Sequence, residues 1–401
     1  MMKRVFIAIH YLEIGGAERS LLGLLNAIDK TKYDIDLFVY QHVGEFMSLI
    51  PESIHLLKKN KRYASIEAPM KQVLKRGYID ILLARILARW QFQRYTKKNK
   101  LKDGASLFQY VADMVTPLLP SLHQYGEYDL AISFLTPHNI VLEKVKAKKK
   151  VAWIHTDYST IQVNAVQELK IWGQYDSVVS ISEEVTAAFL KTFPSLKKKI
   201  VLIENILSSV FVREQAMLQD VSGEIEAEEG MIKLCSVGRF SYPKNFDNVP
   251  SICRRIMENG VPVKWFIVGY GSDEALIRRR IEEERMEEQV ILLGKKSNPY
   301  PYIKACDVYV QPSRYEGKAV TVREAQILEK PVVITAFPTA KSQLNDQVDG
   351  VIVPLENELA GDAIADLIRN SSLRERLCEY ERTHDYGNER EVNKIYALIE
   401  R

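Results

Sequence analysis

The sequence predicts an α/β fold with two Rossmann-like, doubly wound parallel-sheet domains that face a central cleft. Twelve short apolar runs, rich in β-branched and aromatic residues, recur at intervals that leave room for helices. Continuously apolar strands that alternate with helical stretches are typical of parallel sheets covered on both faces. A chain of 401 residues is also long for one domain and fits two.

The predicted strands divide into two sets of six. The first set is 5–9, 35–40, 130–134, 151–155, 177–182 and 200–205, and the second is 232–238, 263–269, 290–294, 308–313, 331–335 and 350–354. We therefore predict an N-terminal, acceptor-side domain over 1–206, a linker over 207–230 and a C-terminal, donor-binding domain over 231–385. The last helix, about 386–401, fits either domain by its periodicity and is compatible with packing back on the first.

The net charge of +3 is the sum of two unlike halves. Residues 1–205 carry 29 Lys and Arg against 20 Asp and Glu, whereas residues 206–401 carry 26 against 32. Residues 58–102 alone hold 14 basic residues and two acids, Glu67 and Asp80. Two interpretations of this stretch stay open: a surface for an anionic membrane, or a packed helix with a solvated face. Nucleic acid is not expected as a partner, because no nucleic-acid-binding motif is present and the second half is acidic.

Composition excludes several other classes of protein. Four widely spaced cysteines without a Cys-x-x-Cys pair argue against a zinc site and against a disulfide framework. The first apolar run is too short for a signal peptide, and no window approaches 18 uninterrupted apolar residues. We therefore expect a cytoplasmic protein, with peripheral binding to the inner face of the cell membrane as the open question.

Loops that follow two of the predicted strands carry candidate binding residues. Gly15 and Gly16 precede a helix, where paired glycines let an anion or a sugar oxygen approach the backbone, although a plain strand-to-helix turn is equally compatible. Arg239 and Lys244 form a candidate clamp for a diphosphate, although two solvated loop cations are the simpler interpretation. Residues 269–274 lack the third glycine of a dinucleotide-binding turn, so packing glycines are expected there.

The most specific motif spans residues 312–335. Glu316 and Glu324 are eight residues apart, and a helix predicted over 319–328 places Glu324 about two turns after Glu316. The first amides of that helix would point outward and bind an anion. These amides belong to Ala319, Val320 and Thr321. Two carboxylates that bind hydroxyls beside a phosphate site suit a sugar nucleotide, whereas an exposed helix with two ordinary glutamates is the alternative.

In order along the chain, these motifs and the PVVIT and DGVIVP segments resemble the retaining glycosyltransferases of family four. Members of that family have two Rossmann-like domains in the B-type architecture. The resemblance extends from Gly15 to about Pro354, and the segments 153–158 and 204–206 are similar to members that build bacterial surface polysaccharides. The chain departs from the family at Lys318 and Ala319, where members often have Phe-Gly.

The resemblance implies a donor-binding set and a catalytic set. The donor-binding set is Gly15, Gly16, Arg239, Lys244, Lys318, Ala319, Val320, Thr321 and Glu324. The catalytic set, at the reacting sugar and the leaving diphosphate, is His155, Arg239, Lys244 and Glu316. By the resemblance, Glu316 meets hydroxyls of the sugar, Glu324 meets the ribose, and His155 lies at the sugar and acceptor. A lone histidine at a strand end is otherwise more often structural, and His10 and His138 are weaker acceptor-side candidates.

The implied reaction moves a sugar from a nucleotide diphosphate to a hydroxyl, with retention at the anomeric carbon. The expected acceptor is a glycan or a lipid-linked glycan in cell-surface polysaccharide synthesis, and family frequency favours UDP as the carrier. We expect no metal and no other cofactor, because two cations and a helix N-terminus are available for the leaving diphosphate. Two alternatives stay open: a sugar-nucleotide 2-epimerase of the same architecture, and a non-catalytic subunit of a glycosyltransferase complex.

Overall fold

A computed structural model describes residues 2–100, 106–317 and 319–400. The chain forms two compact units. Unit 1 comprises Met1–Ile206 and Glu389–Arg401, and unit 2 comprises Leu207–Asn388.

Unit 1 contains a seven-stranded sheet in the order β3-β2-β1-β4-β5-β6-β7. Its strands are β1 (Lys3–Ile9), β2 (Tyr33–Val39), β3 (His55–Leu56), β4 (Glu127–Ser133), β5 (Lys146–Ile154), β6 (Ser177–Ser180) and β7 (Ile200–Leu202). Its first helices are α1 (Gly16–Ala27), α2 (Met70–Lys75), α3 (Ile79–Asn99), α4 (Leu107–Val115), α5 (Asn139–Lys144), α6 (Ala165–Trp172) and α7 (Glu183–Thr192).

Unit 2 contains a six-stranded sheet in the order β10-β9-β8-β11-β12-β13. Its strands are β8 (Ile232–Val237), β9 (Val263–Val268), β10 (Val290–Gly294), β11 (Val308–Gln311), β12 (Val332–Thr335) and β13 (Val351–Val353). Its helices are α8 (Ser209–Gln215), α9 (Val249–Glu258), α10 (Glu274–Glu284), α11 (Tyr300–Ala305), α12 (Val320–Ile327), α13 (Asn357–Arg369) and α14 (Ser371–Thr383).

Every strand pair in the two sheets is parallel among the residues described. The inner strands are buried on both faces: five consecutive residues of β1 are buried, as are all four of β12. This burial explains the continuously apolar runs, because a strand covered on both sides has no polar face to alternate with. The predicted fold class of two parallel α/β domains is confirmed.

The segment 207–230 differs from the predicted linker, because it belongs to the body of unit 2. It contains α8, whose first turn is capped by the hydroxyl of Ser208, and Phe211 and Val212 of that helix are buried. Val221 and Ile225 are buried as well. These buried apolar residues hold the segment on unit 2, although they are too few to show a periodic pattern in the sequence.

The two ends of unit 2 meet, and the chain then returns to unit 1. The amide of Leu207 donates to Asn388 Oδ1 at 2.7 Å, and the amide of Asn388 donates to the carbonyl of Leu207 at 3.1 Å. The last helix, α15 (Val392–Glu400), belongs to unit 1, where the ring of Tyr396 stacks on that of Tyr33 at 4.4 Å. Of the two placements that the sequence leaves open for this helix, the structure shows the one with unit 1.

Candidate functional site

The loop after β8 is shaped by the glycines that follow β9. A Cβ atom on Gly269 would lie 1.9 Å from the carbonyl oxygen of Gly238 and 2.8 Å from the ring of Phe240. The amide of Phe240 also donates to the carbonyl of Tyr270 at 2.8 Å. The glycine after β9 therefore allows two loops to pack backbone against backbone, which is the packing role that the sequence indicates for residues 269–274.

The tip of the β8 loop is held by two side chains that sequence reasoning missed. Arg314 makes a bidentate ion pair with Asp247, at 2.8 and 2.7 Å, and its guanidinium lies 4.4 Å from the ring centre of Tyr242. Asn245 is buried in the left-handed region, at φ 61°, and its amide group donates to the carbonyl of Pro312 at 2.8 Å. These contacts fix the position of the neighbouring Lys244. An Asn in a loop is itself a signal for left-handed backbone, but its partner 67 residues away leaves no local pattern.

Lys244 and Glu316 are in direct contact. Lys244 Nζ lies 2.5 Å from Glu316 Oε1, and the same oxygen accepts hydrogen bonds from Ser313 Oγ at 2.6 Å and Gln311 Nε2 at 3.2 Å. The Glu316 side chain is 10% exposed and that of Lys244 is 22% exposed. The structure therefore brings together two of the predicted site residues as a shielded ion pair at the carboxyl ends of β8 and β11.

Arg239 differs from Lys244 because its charge is not engaged. The residue is exposed, and within the described residues its guanidinium has no ion pair or hydrogen bond. A guanidinium that carries no protein partner can bind two oxygens of a phosphate without breaking an existing contact.

The predicted helix over 319–328 forms as α12, but the first of its three outward amides is already bonded. The amide of Ala319 donates to Gln343 Oε1 at 2.8 Å, and Gln343 Nε2 donates to the carbonyl of Gly317 at 3.2 Å. An anion at this helix start would have to displace the Gln343 side chain from Ala319. Lys318, the departure from the family pattern, lies outside the described residues.

Glu324 lies inside unit 2. The residue is fully buried, and its carboxylate accepts a hydrogen bond from the hydroxyl of Tyr300 at 3.0 Å. Glu316 and Glu324 therefore have different partners, although they lie near the same helix start. The predicted contact of Glu324 with a ribose stays a prediction, and it requires access to a carboxylate that is shielded here.

Gly15 and Gly16 lie where the sequence predicts them, at the start of α1. Gly15 is the N-cap, with extended backbone, and Gly16 is the first helical residue. A Cβ atom on Gly15 would lie 2.1 Å from a carboxylate oxygen of Glu18, a buried residue of the first turn. An acidic side chain thus lies against the backbone expected to bind phosphate, so the donor-binding role of the two glycines stays a prediction.

His155 follows β5 and stays neutral at physiological pH. Burial lowers the pKa of its imidazole to about 3. Its ring lies 4.6 Å from that of Phe134 and is parallel to that of Trp153. Its Nε2 is buried without a hydrogen-bond partner among the described residues. A neutral imidazole can exchange hydrogen bonds with a hydroxyl but cannot supply a positive charge.

Two more histidines follow β1 and β4; in the sheet, β4 lies between β1 and β5. His138 Nδ1 lies 2.8 Å from Ser133 Oγ, and burial lowers the pKa of His138 to about 3. His10 Nδ1 lies 2.9 Å from Glu67 Oε1, and although burial alone would raise the pKa of Glu67, hydrogen bonds such as that from His10 lower it. In the described part of the chain, the Nε2 atoms of both rings are also buried and without partners. Unit 1 thus has three histidines at one edge of its sheet.

The residues described contain no group of three His, Cys, Asp or Glu side chains arranged to hold a metal ion. The Asp-x-Asp sequence at Asp34 and Asp36 lies within β2, where Asp36 accepts from Arg4 at 2.9 Å and from Tyr128 at 2.5 Å. Asp36 is therefore engaged in the structure of unit 1. Among the described helices, none combines the length and the hydropathy needed to cross a bilayer.

The two parallel-sheet units place the protein in the GT-B class of glycosyltransferase folds. Its structure is similar to that of HepE from Anabaena in complex with UDP and glucose, with a TM-score of 0.64, 14% sequence identity and 98% of each chain covered. At this identity, the likeness shows the fold alone. Residues 220–384 match the family described as glycosyl transferases group 1. Residues 220–384, which make up most of unit 2, are therefore similar to the group 1 glycosyl transferases, in agreement with the resemblance seen in the motifs.

Two curated relatives are named glycosyltransferases. The chain is 27% identical to the amylovoran biosynthesis glycosyltransferase AmsD of Erwinia amylovora, over 59% of this chain and 66% of AmsD, which is just under two thirds of that relative. It is 23% identical to the N-acetylgalactosamine-N,N'-diacetylbacillosaminyl-diphospho-undecaprenol 4-alpha-N-acetylgalactosaminyltransferase of Campylobacter jejuni, over 89% of this chain and 87% of that protein.

Proposed function

We propose that the protein transfers a sugar from a UDP-sugar donor to a hydroxyl of a glycan or lipid-linked glycan, with retention at the anomeric carbon. The reaction would serve the synthesis of bacterial surface polysaccharides. The group 1 family supports sugar transfer, and the names of AmsD and the Campylobacter protein support glycan synthesis. The UDP bound to HepE supports the choice of carrier. We assign donor binding to unit 2 and acceptor binding to unit 1.

The observation that carries this proposal is the Lys244–Glu316 pair on the same loop system as the unengaged Arg239. When the bond from the anomeric carbon to the donor phosphate breaks, the diphosphate gains negative charge. Arg239 and Lys244 stabilise that charge, and one well-placed donor of this kind typically contributes ~3 kcal/mol to the transition state. The Glu316 carboxylate, next to Lys244, is suited to accept hydrogen bonds from hydroxyls of the transferred sugar.

The bond changes need no covalent bond to the protein. The acceptor hydroxyl forms the new bond to the anomeric carbon on the face that the diphosphate leaves, and its proton passes to an oxygen of the departing phosphate. We propose that the positive charge in this step comes from Arg239 and Lys244 rather than from a metal ion. His155, neutral by virtue of its low pKa, is assigned to hydrogen bonds with the sugar or the acceptor.

The decisive test measures turnover of a panel of nucleotide sugars by the wild type and by Lys244→Ala. We expect release of free UDP that depends on an added glycan acceptor, and a loss of at least about 100-fold in Lys244→Ala, since ~3 kcal/mol corresponds to two orders of magnitude. The matched control is Lys296→Ala, which removes another lysine of unit 2 that pairs with a glutamate, Glu224.

Each other outcome selects a different function. An isomerised nucleotide sugar without transfer would identify the 2-epimerase, and no turnover of any donor would favour the non-catalytic subunit. Near-normal turnover by a folded Lys244→Ala variant would contradict the assignment of Lys244 to the leaving diphosphate. Circular dichroism of the variants establishes that they are folded.

A further inference from the structure

Helix α3 packs against unit 1 through only one of its faces. Ile81 and Ala88 are buried, whereas Leu82 and Phe92 are partly buried against the core of unit 1. On this same side Arg85 donates to backbone carbonyls of residues 65 and 68, at 2.9 and 2.5 Å. These contacts fix the rotation of α3 about its axis, and therefore determine which side chains point away from the protein.

The outward face of α3 is apolar. Its exposed side chains, with the exposed fraction of each, are Ile79 (58%), Leu83 (60%), Ile86 (52%), Leu87 (44%) and Trp90 (55%). Their spacing of four, three, one and three residues places them on one stripe of a helix. A contiguous apolar stripe of this kind marks an interaction surface, whereas single exposed apolar residues need no explanation. The face of α3 that is exposed to solvent is therefore apolar as well as charged.

The surroundings of this apolar stripe are positively charged. The exposed basic residues on α2, on α3 and at its end are Lys71, Lys75, Arg89, Arg94, Lys97, Lys98 and Lys100. The two acids of the stretch are both engaged: Asp80 pairs with Arg62, and Glu67 accepts from His10 and Gln41. The stripe therefore lies in a field of uncompensated positive charge.

We propose that the α3 stripe and its flanking cations bind the surface of an anionic phospholipid bilayer. The apolar side chains would enter the boundary between headgroups and acyl chains, and the Lys and Arg side chains would contact anionic headgroups. A second copy of the chain fits less well, because pairing two such faces would bring like charges together. Nucleic acid would match the charge but would leave the apolar stripe in water. The inference rests on the proposed function in one respect: a lipid-linked acceptor lies at such a surface.

The protein carries its own reporter for this binding. Of its four tryptophans, Trp90 lies on the stripe and is 55% exposed, whereas Trp153, Trp172 and Trp265 are at most 2% exposed. Mixing the full chain with vesicles of phosphatidylglycerol and phosphatidylethanolamine should shift Trp90 emission to the blue and protect it from acrylamide. Vesicles of phosphatidylcholine alone should produce neither effect, and co-sedimentation should show the same preference.

Two pairs of substitutions separate the apolar and the charged contributions. Leu83→Gln with Ile86→Gln should lower the partition coefficient at least about tenfold, because two apolar side chains lose their burial. Lys97→Gln with Lys98→Gln should lower binding to anionic vesicles about tenfold or more and weaken its salt dependence, because two of the flanking cations are removed. The control is Leu359→Gln, which changes an equally exposed leucine of unit 2 (52%).

Equal binding by these variants and the control, or equal binding to both kinds of vesicle, would overturn the proposal. A Trp90 shift that appears without lipid and grows with protein concentration would assign the stripe to self-association instead. Vesicle binding requires no turnover, so its failure is distinct from failure of the proposed function. Accordingly, the Leu83→Gln, Ile86→Gln variant should retain wild-type turnover of a soluble acceptor.

Discussion

The ion pair between Lys244 and Glu316 predicts that one substitution will strengthen product binding while it abolishes turnover. Lys244 Nζ lies 2.5 Å from Glu316 Oε1. A diphosphate that binds Lys244 must therefore compete with, or share, the Glu316 carboxylate. Glu316→Gln removes that competitor and keeps a side-chain oxygen that can still accept the hydrogen bond from Ser313.

The size of the effect follows from how far the pair is shielded. Exposed ion pairs contribute up to about 1 kcal/mol, and breaking a buried pair costs about 3–5 kcal/mol. The side chains of Lys244 and Glu316 are 22% and 10% exposed, and Glu316 keeps its hydrogen bonds to Ser313 and Gln311. We therefore take a free energy for the pair just above the range for exposed ion pairs, about 1.4 kcal/mol, which corresponds to a tenfold change in Kd. Glu316→Gln should therefore bind UDP about tenfold more tightly, and turn over a UDP-sugar at least about 100-fold more slowly.

Isothermal titration calorimetry with UDP measures the first quantity, and release of UDP from a UDP-sugar measures the second. The matched control is Glu274→Gln, which removes a glutamate of unit 2 that pairs with Arg278. Unchanged or weaker UDP binding by Glu316→Gln would refute the competition. Lys244 would then keep its contact with Glu316 when the nucleotide is bound.

Two further predictions concern the stability of unit 2. Gly269→Ala should destabilise unit 2 by about 3 kcal/mol or more and weaken UDP binding, because the new Cβ would lie 1.9 Å from the carbonyl oxygen of Gly238. The control is Gly223→Ala, because no atom lies within 4 Å of a Cβ at that position. Equal Tm values for the two variants would contradict the reasoning. Burial, with neighbouring carboxylates, raises the pKa of Glu381 from 4.5 to about 10. Between these two pH values the Glu381 carboxyl is protonated in the folded state and ionised in the unfolded chain. The free energy of unfolding therefore falls as the pH rises above 4.5. Glu381→Gln should therefore stabilise the protein by an amount that grows on the order of 1.4 kcal/mol per pH unit between about pH 5 and 8. Urea unfolding at several pH values measures this stabilisation, with Glu379→Gln as the control. A difference from the wild type that does not change with pH would exclude the raised pKa as its cause.

The strands were predictable because burial on both faces leaves a pattern that can be read locally. Among the strands of the described residues, β3 was not revealed by the sequence, because its two residues, His55 and Leu56, are too few to show any period. The segment 207–230 was not recognised as part of unit 2, because its anchors are scattered among polar residues.

The candidate site was predictable where chemistry depends on neighbours in sequence, and not where it depends on the approach of distant segments. The loop with Lys244 and the start of α12 were found from their motifs. The Arg314–Asp247 clamp joins residues 67 apart, and the bond from Gln343 to Ala319 joins residues 24 apart. Neither contact leaves a trace in either segment alone.

The basic stretch shows a different limit of sequence reasoning. Spacing predicted a helix and composition predicted its charge, but both faces of α3 carry apolar residues, so periodicity alone does not determine which face packs. The contacts of Ile81, Arg85 and Ala88 determine it, and they leave Leu83 and Trp90 in water.

The hydrogen bonds between Leu207 and Asn388 have a consequence for how the chain is made. Because its two ends are joined to each other, unit 2 is an insertion whose folding needs no residue beyond 388. On the ribosome it can complete its sheet while the first 206 residues still wait for Tyr396 to reach Tyr33. The segment 207–388 should accordingly be exchangeable as a block with that of a relative, whereas a fragment that stops at residue 206 lacks the last helix of its own unit.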